Sequence, residues 1–173
     1  MRIRPYAPED VASIGHVHAT SRRSAYVDLV PGEALARVTP DFQADYWRTR
    51  LTRAPEPHRL LVLDHAGAVA GFVLGSGAAG LGTLHALHVL PGLHGSGAGR
   101  ALHERMLEAF DAWCCAQAEL WVLDGNERAQ AFYRRNGWTH DGKRSTNDIG
   151  GATVPILRYT RPVGSPARRP VPS

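Results

Sequence analysis

The chain has 173 residues, of which 43% are hydrophobic and 21% are charged, a balance typical of a globular protein with a sizeable core. No apolar run reaches the ~18 residues that a membrane-spanning helix needs. No apolar segment follows the charged residues at the amino terminus, as it would in a signal peptide. We therefore expect a cytoplasmic protein that has no membrane partner.

Most of the net charge of +4 comes from the carboxy-terminal residues, because residues 161–173 contain three arginines and no acid. The remainder is nearly neutral and shows no basic stripe of the kind that binds nucleic acid, so we expect no nucleic-acid partner. Residues 163–173 are rich in proline and arginine and are predicted to be disordered. The adjacent Cys114 and Cys115 match neither a disulfide framework nor a metal-ligand pattern, and no metal site is expected.

Hydrophobic periodicity and turn residues predict strands and helices along the chain. The predicted strands are residues 1–5, 59–64, 68–74, 84–90, 120–123, 138–144 and 152–160. One predicted helix begins at Pro8, and three others span residues 41–52, 97–115 and 126–136. A loop is predicted over residues 26–31. In the second helix, Phe42, Tyr46 and Leu51 are expected to share one face, with Trp47 beside it. Three consecutive strands without intervening helices exclude a regular doubly wound fold and predict a mixed α/β sandwich around one sheet.

A glycine-rich turn follows the strand at 84–90 and opens the helix at 97–115. It reads His94-Gly95-Ser96-Gly97-Ala98-Gly99, with Arg100 next. Glycines leave backbone amides unobstructed by Cβ atoms, and such amides at a helix N-terminus attract a phosphate or pyrophosphate. The turn lacks the Gly-Lys-Ser/Thr sequence of a nucleotide-binding P-loop. By itself it also fits a plain flexible loop that caps a helix.

A second motif spans residues 120–138, where a buried strand precedes a helix. The helix carries Asn126, Ala129, Phe132 and Tyr133 and ends at Gly137-Trp138. Together with the glycine turn, this motif resembles the GNAT superfamily of N-acetyltransferases. That family has a coenzyme loop Gln/Arg-x-x-Gly-x-Gly/Ala and a later block Asn-x-x-Ala-x-x-Phe-Tyr-x-x-x-Gly-Phe/Trp. The resemblance covers residues 1–162 as one domain. It implies a mixed central sheet of about seven strands, with helices on both faces and a splay between the fourth and fifth strands.

The resemblance implies acetyl-CoA as the co-substrate. The residues expected to hold its pyrophosphate are His94, Gly95, Ser96, Gly97, Ala98, Gly99 and Arg100. Asn126, Tyr133, Leu87 and Val89 are expected to make further coenzyme contacts, and a backbone amide near Val89, at a strand bulge, is expected to polarise the thioester carbonyl. His94 departs from the family's Gln or Arg and is a weaker phosphate donor when it is neutral.

The resemblance further implies direct transfer of the acetyl group to a primary amine in a ternary complex. Tyr133 is the candidate acid that protonates the departing thiolate, and a core aromatic is the alternative interpretation. His85 is the candidate base, with His88 or water as alternatives. Strand alternation places Thr83, His85 and Leu87 on one face and His88 on the other, unless a bulge changes the alternation.

By position in the family's fold, the acceptor is expected to contact Tyr26, Asp28, Trp47 and His85, although Trp47 fits a core position equally well. The acceptor is a small-molecule amine or a peptide N-terminus, and the sequence does not separate these classes. His94 and the lack of a glutamate at Thr83 leave an alternative, a catalytically weak or inactive acyl-CoA-binding sensor. The family's dimers through the last strands favour a homodimer over a monomer.

Overall fold

The computed structural model describes residues 1–53 and 56–164. The predicted disordered tail, residues 163–173, lies outside the described residues except for its first two positions. None of the helices in the described ranges is long and apolar enough to cross a membrane.

The described residues form seven strands and five α-helices. The strands are β1 (Arg2–Pro5), β2 (His58–His65), β3 (Ala68–Ala78), β4 (Leu81–Val89), β5 (Gln117–Leu123), β6 (Thr139–Ile149) and β7 (Ala152–Pro162). The helices are α1 (Val11–Ala25), α2 (Gly32–Ala36), α3 (Pro40–Leu51), α4 (Ala98–Ala112) and α5 (Glu127–Arg135). All predicted strands and longer helices are present, whereas the short α2 was not predicted because its five residues carry too little periodicity.

All seven strands belong to one sheet, with the order β1-β2-β3-β4-β5-β7-β6. Only β4 and β5 pair in parallel, and every other neighbouring pair is antiparallel. Helices α1 and α3 pack on one face, where Ile14 and Trp47 join a buried cluster with Phe72. Helices α4 and α5 pack on the other face, where Met106 and Tyr133 join the second cluster. This arrangement confirms the predicted fold class.

Helix α4 lies close to the sheet because glycines face it. A Cβ atom on Gly75 would lie 2.5 Å from Met106 Sδ, and one on Gly82 would lie 2.7 Å from a ring carbon of Phe110. Side chains at these two positions would push the helix away from β3 and β4. The close packing therefore holds the N-terminus of α4, and the turn before it, against the end of β4.

The buried face of α3 differs from the sequence prediction. Phe42 and Tyr46 are 59% and 44% exposed, whereas Trp47 is 1% exposed. The reason is the close approach of α1, since a Cβ atom on Gly15 would lie 2.6 Å from the carbonyl oxygen of Pro40. That approach turns the Ala44 and Trp47 side of α3 towards the core, so the predicted shared face was wrong.

The sheet splays between β4 and β5, as predicted. Their pairing begins at Leu81 opposite Gln117 and ends at Leu84 opposite Leu120. Beyond that point, β4 stays paired with β3 while β5 follows β7. The two central strands therefore diverge and leave a wedge-shaped opening between them.

A bulge in β4 lies at the start of the splay. Leu84 is opposite Gly75 and Ala86 is opposite Leu74, so that His85 is the extra residue. The sequence prediction placed a bulge near Val89, four residues later. A β-bulge bends the strand that carries it, and this one coincides with the last residue pair that joins β4 to β5.

Candidate active site

A cavity of about 750 Å³ occupies the opening between β4 and β5. Its lining extends from the glycine-rich turn before α4 to helix α1 on the opposite face of the sheet. Four arginines line it, namely Arg22, Arg100, Arg128 and Arg135. Of the residues that the structure describes, no aspartate or glutamate belongs to the lining. The cavity therefore favours an anionic ligand along its length.

The glycine-rich turn has the backbone geometry of an anion site. Gly95 and Gly97 have φ angles of +80° and +88°, which are strained for residues that carry a Cβ atom. Gly97 is the N-cap of α4, and the first intrahelical bond runs from Ala101 N to Gly97 O over 2.9 Å. The preceding N–H groups of the helix have no intrahelical partner. The turn and the helix N-terminus together suit a pyrophosphate.

His94 does not serve as the charged group of this turn. Arg128 Nη1 lies 2.5 Å from His94 Nδ1, which accepts its hydrogen bond. Burial lowers the pKa of His94, the Arg128 guanidinium lowers it further, and the carbonyl of Val89 acts in the opposite direction. A neutral His94 thus connects β4 to α5 and holds Arg128 at the turn. Arg100 also lines the cavity and donates a 2.7 Å hydrogen bond from Nε to Glu104 Oε1.

Helix α5 contributes Asn126 and Tyr133 to the cavity lining. Asn126 Oδ1 accepts a 3.2 Å hydrogen bond from Ala129 N and is the N-cap of the helix. Tyr133 is 8% exposed. Burial raises the pKa of its hydroxyl, with a smaller contribution from Tyr26, so the phenol remains protonated at neutral pH and is available as a donor.

The splay leaves backbone amides of β4 without a strand partner on one side. Leu90 N donates a 2.9 Å hydrogen bond to the carbonyl oxygen of Ala70 in β3. Because successive N–H groups of a strand point in opposite directions, the amides of Leu87 and Val89 face away from β3. They face the side where pairing with β5 has ended. Both residues line the cavity, so two donors are available there for a carbonyl oxygen.

The bulge determines which side of the sheet each side chain of β4 faces, a question that the sequence left open. After it, Leu87 and Val89 pack with the α4 cluster, whereas His88 lies opposite Phe72 on the α1 side. His85 also lies on the α1 side, since its Nε2 is 2.7 Å from Ser76 Oγ. The predicted grouping of His85 with Leu87 was therefore wrong, because the extra residue resets the alternation and brings both histidines to one side.

Both histidines line the cavity and are neutral at neutral pH. His85 as a whole is exposed, but partial burial of its ring, followed by the charges of Arg50 and His58, lowers its pKa to about 4. Burial and then Arg22 lower the pKa of His88 to about 3. Ser21 Oγ lies 2.7 Å from His88 Nδ1, within hydrogen-bond distance. Neutral imidazoles can accept a proton, but these two hold it weakly.

The predicted acceptor residues separate into two groups. Tyr26 and His85 line the cavity, whereas Asp28 and Trp47 are absent from its lining. Trp47 donates a 3.0 Å hydrogen bond from Nε1 to Nδ1 of the buried His18. Its position is the core position that the sequence left as the alternative.

Several cavity residues were not identified from the sequence. Arg22, Ser21 and Trp121 line the acceptor side, and Arg128 lies at the turn. Arg128 follows Asn126 by two residues and so lies within the second motif. Its position there could have indicated from the sequence that Arg128 lies near the glycine-rich turn. Arg22 has no such signal because it enters the site from α1. No cluster of three or more metal-ligating side chains occurs in the described ranges.

Comparison with known proteins agrees with this geometry. The sequence profile of the Acetyltransferase (GNAT) family matches residues 24–138. An uncharacterized N-acetyltransferase of Mycobacterium bovis is 32% identical over 116 residues, which cover 62% of this chain and 74% of that protein.

Solved structures share the fold. A GCN5-related N-acetyltransferase of Rhodopseudomonas palustris has a TM-score of 0.78 at 20% identity, with 94% of this chain and 95% of that chain covered. The PaiA N-acetyltransferase of Thermoplasma acidophilum, solved with coenzyme A, has a TM-score of 0.74 at 14% identity, with 93% and 98% covered. Because the family profile spans more than half of the chain, and the splayed sheet agrees with it, the chain belongs to the GNAT family of acetyltransferases.

Proposed function

We propose that this enzyme transfers an acetyl group from acetyl-CoA to a primary amine by direct attack in a ternary complex. The observation that supports this most strongly is the continuity of the cavity. One space is lined by the glycine-rich turn, by Leu87 and Val89 of β4, by Tyr133 and by the two histidines on the α1 side. A coenzyme entering from the turn and an amine entering from the α1 side would meet between β4 and β5.

In this proposal, the turn holds the pyrophosphate through backbone amides. Gly95 and Gly97 shape the turn, and Arg128 and Arg100 supply positive charge beside it. A guanidinium that is fixed by a neighbouring side chain suits a phosphate well, because it offers donors in a planar fork. His94 acts through Arg128, whose position it holds.

When bound, acetyl-CoA supplies the acetyl thioester. The amides of Leu87 and Val89 donate to the carbonyl oxygen, where negative charge develops as the amine attacks. Tyr133 donates its hydroxyl proton to the departing sulfur and is then reprotonated from solvent, which receives the proton of the amine. The raised pKa of Tyr133 keeps the phenol protonated until that moment, and protonation of the thiolate completes the cleavage of the carbon–sulfur bond.

We assign the base to His85, directly or through water, with His88 as the alternative. His85 Nε2 is held by Ser76, which orients the ring at the edge of the cavity. Because its pKa is about 4, His85 accepts the amine proton only transiently and passes it to solvent. The positive charges near this end also favour the neutral form of a bound amine, which is the form that attacks.

The experiment is a thiol-release assay with acetyl-CoA and a panel of primary amines and peptide N-termini, combined with calorimetry of coenzyme binding. Turnover of at least one amine, with transfer confirmed by mass spectrometry, is the expected result. Coenzyme binding without turnover of any amine would contradict the proposal and support an acyl-CoA-binding sensor instead.

Two further properties belong to this proposal. The enzyme acts in the cytoplasm, and it forms a homodimer through the last strands. In support of the second, β6 is an edge strand whose residues are mostly exposed, so a second chain can approach it. Light scattering of the purified protein tests this, and a monomeric mass at micromolar concentration would contradict it.

A further inference from the structure

Arg22 is an unusual arginine at the acceptor side of the cavity. It lies in the last turn of α1 and lines the cavity beside Ser21, the hydrogen-bond partner of His88. Its Nε is buried and has no hydrogen-bond partner among the described residues. Its charge lowers the pKa of His88. The guanidinium therefore stands near His88 without a protein partner for its buried donor.

Two other partly buried arginines are paired with acids, since Arg4 binds Asp10 and Asp64 and Arg158 binds Glu119 and Asp141. Arg22 forms no ion pair of this kind within the described part of the chain. A partly buried guanidinium without a counter-charge is costly, and such a group is stabilised when a ligand brings the missing anion.

The surroundings of the acceptor side reinforce this charge. No aspartate or glutamate from the described ranges lines the cavity. Arg50 lies close enough to His85 to lower its pKa. Asp28, an acid that the sequence analysis expected to contact the acceptor, is absent from the cavity lining. A polyamine would bring several positive charges into this positive environment, whereas an amine that also carries an anionic group would be attracted.

Arg22 is also separated from the phosphate end. The glycine-rich turn lies with α4 on one face of the sheet, and α1 covers the opposite face of β4. The phosphate end has its own arginines, Arg100 and Arg128. Arg22 is thus placed to contact the acceptor rather than the pyrophosphate.

We propose that the acceptor is a small amine carrying a carboxylate, as an α-amino acid does, and that Arg22 binds this carboxylate. This inference rests on the acetyltransferase function proposed above. A guanidinium and a carboxylate form two parallel charge-assisted hydrogen bonds. That pairing fixes the orientation of the acceptor, so that its amine points from α1 towards His85 and the acetyl group.

The test compares several α-amino acids with their carboxamides and their decarboxylated amines as acceptors. Thiol release gives kcat/KM, which is corrected for the fraction of neutral amine because the three compounds differ in amine pKa. For the wild-type enzyme, kcat/KM is expected to be about tenfold or more higher for the α-amino acid than for its carboxamide or its decarboxylated amine. A preference for carboxamides or diamines would overturn the proposal, as would a higher kcat/KM for phosphonate analogues.

Variants of neighbouring arginines provide the matched comparison. Arg22→Gln is expected to raise KM for the amino acid about tenfold with little change in kcat, and to leave the carboxamide within about twofold. Arg22→Lys should recover part of the loss. Arg23→Gln, which removes an exposed arginine that does not line the cavity, should behave as the wild type. An equal loss for both acceptors in Arg22→Gln would overturn the role of Arg22.

A binding measurement separates this proposal from the proposed function. Calorimetry with coenzyme-loaded protein compares an N-acetylated amino acid with its amide, and neither ligand needs turnover. Tighter binding of the carboxylate, lost in Arg22→Gln, is expected. If no amine is acetylated but this preference is present, acetyl transfer fails while carboxylate binding stands. Equal binding of the two ligands overturns carboxylate binding even if amines are acetylated.

Discussion

The two ends of the cavity are built in different ways. At the end that we propose for the phosphates, one short turn lines the cavity, and Gly95 and Gly97 there have positive φ angles. At the end that we propose for the acceptor, side chains from α1, β4 and β5 converge, among them Arg22, His85 and Trp121. The first end depends on local backbone conformation and the second on tertiary packing. This difference explains why one end carries a motif and the other does not.

The largest effect is expected where the two ends meet. Tyr133→Phe removes the proposed donor to the departing sulfur while retaining the ring that packs in the core, so kcat should fall about a hundredfold or more. Steady-state kinetics and calorimetry measure this, and coenzyme affinity should change little. The control is Tyr46→Phe, which alters an exposed tyrosine outside the cavity lining. An unchanged kcat in Tyr133→Phe would remove its role as the acid.

A change in the turn should weaken coenzyme binding without altering acceptor selectivity. Gly97→Val places a branched side chain at a φ of +88°, which costs about 1–2 kcal/mol or displaces the amides. We expect the Kd of coenzyme A to rise about tenfold or more, as measured by calorimetry. Gly92→Val is the control, because Gly92 has open space around it and no positive φ. Equal effects of the two changes would argue against an anion site in this turn.

The side-chain part of the phosphate end is tested with Arg128. Arg128→Gln removes the guanidinium that His94 holds at the turn, and coenzyme A should bind about tenfold more weakly because a charge-assisted hydrogen bond is lost. The loss should shrink at high salt. Arg105→Gln is the control, since Arg105 is exposed on α4 and pairs with Glu108. An unchanged affinity for coenzyme A in Arg128→Gln would mean that backbone amides alone bind the phosphate.

Burial of Trp47 leads to a prediction about stability. Trp47→Phe leaves Nδ1 of the buried His18 without its donor, so the free energy of unfolding should decrease by about 1–3 kcal/mol. Urea denaturation measures the loss. The folded variant should retain the KM of the wild type for the amine. A changed KM with unchanged stability would return Trp47 to the acceptor site.

The smallest expected effect concerns pH. The pKa values of His85 and His88 are lowered to about 4 and about 3, and the neutral form is the one that accepts a proton. Activity that depends on it is present above these values and is lost as the pH falls through about 4. From about pH 5.5 to 8, the shape of the kcat/KM profile should therefore be the same for the wild type and His85→Gln, with only the height reduced. A limb near pH 6.5 that disappears in His85→Gln would contradict the lowered pKa.

Much of the fold was predictable because its signals are local. Alternation and turn residues located every strand, and helical periodicity located α1, α3, α4 and α5. The exposed position of Phe42 and Tyr46 was not predictable, because the buried face of α3 depends on how closely α1 approaches through Gly15. Helix α2 was missed because five residues show too little periodicity.

The sequence by itself determined the glycine-rich turn before α4, the helix that follows Asn126 and the family to which both motifs belong. These features lie within short segments, where positive φ angles and helix caps restrict the residue types that fit. Only the tertiary structure decided which histidines line the cavity on the α1 side and that Arg22 also lines it there. The face of His88 depends on a bulge that exists only through pairing with β3. The role of Arg22 depends on which partners the fold leaves beside it, and no spacing within α1 records that.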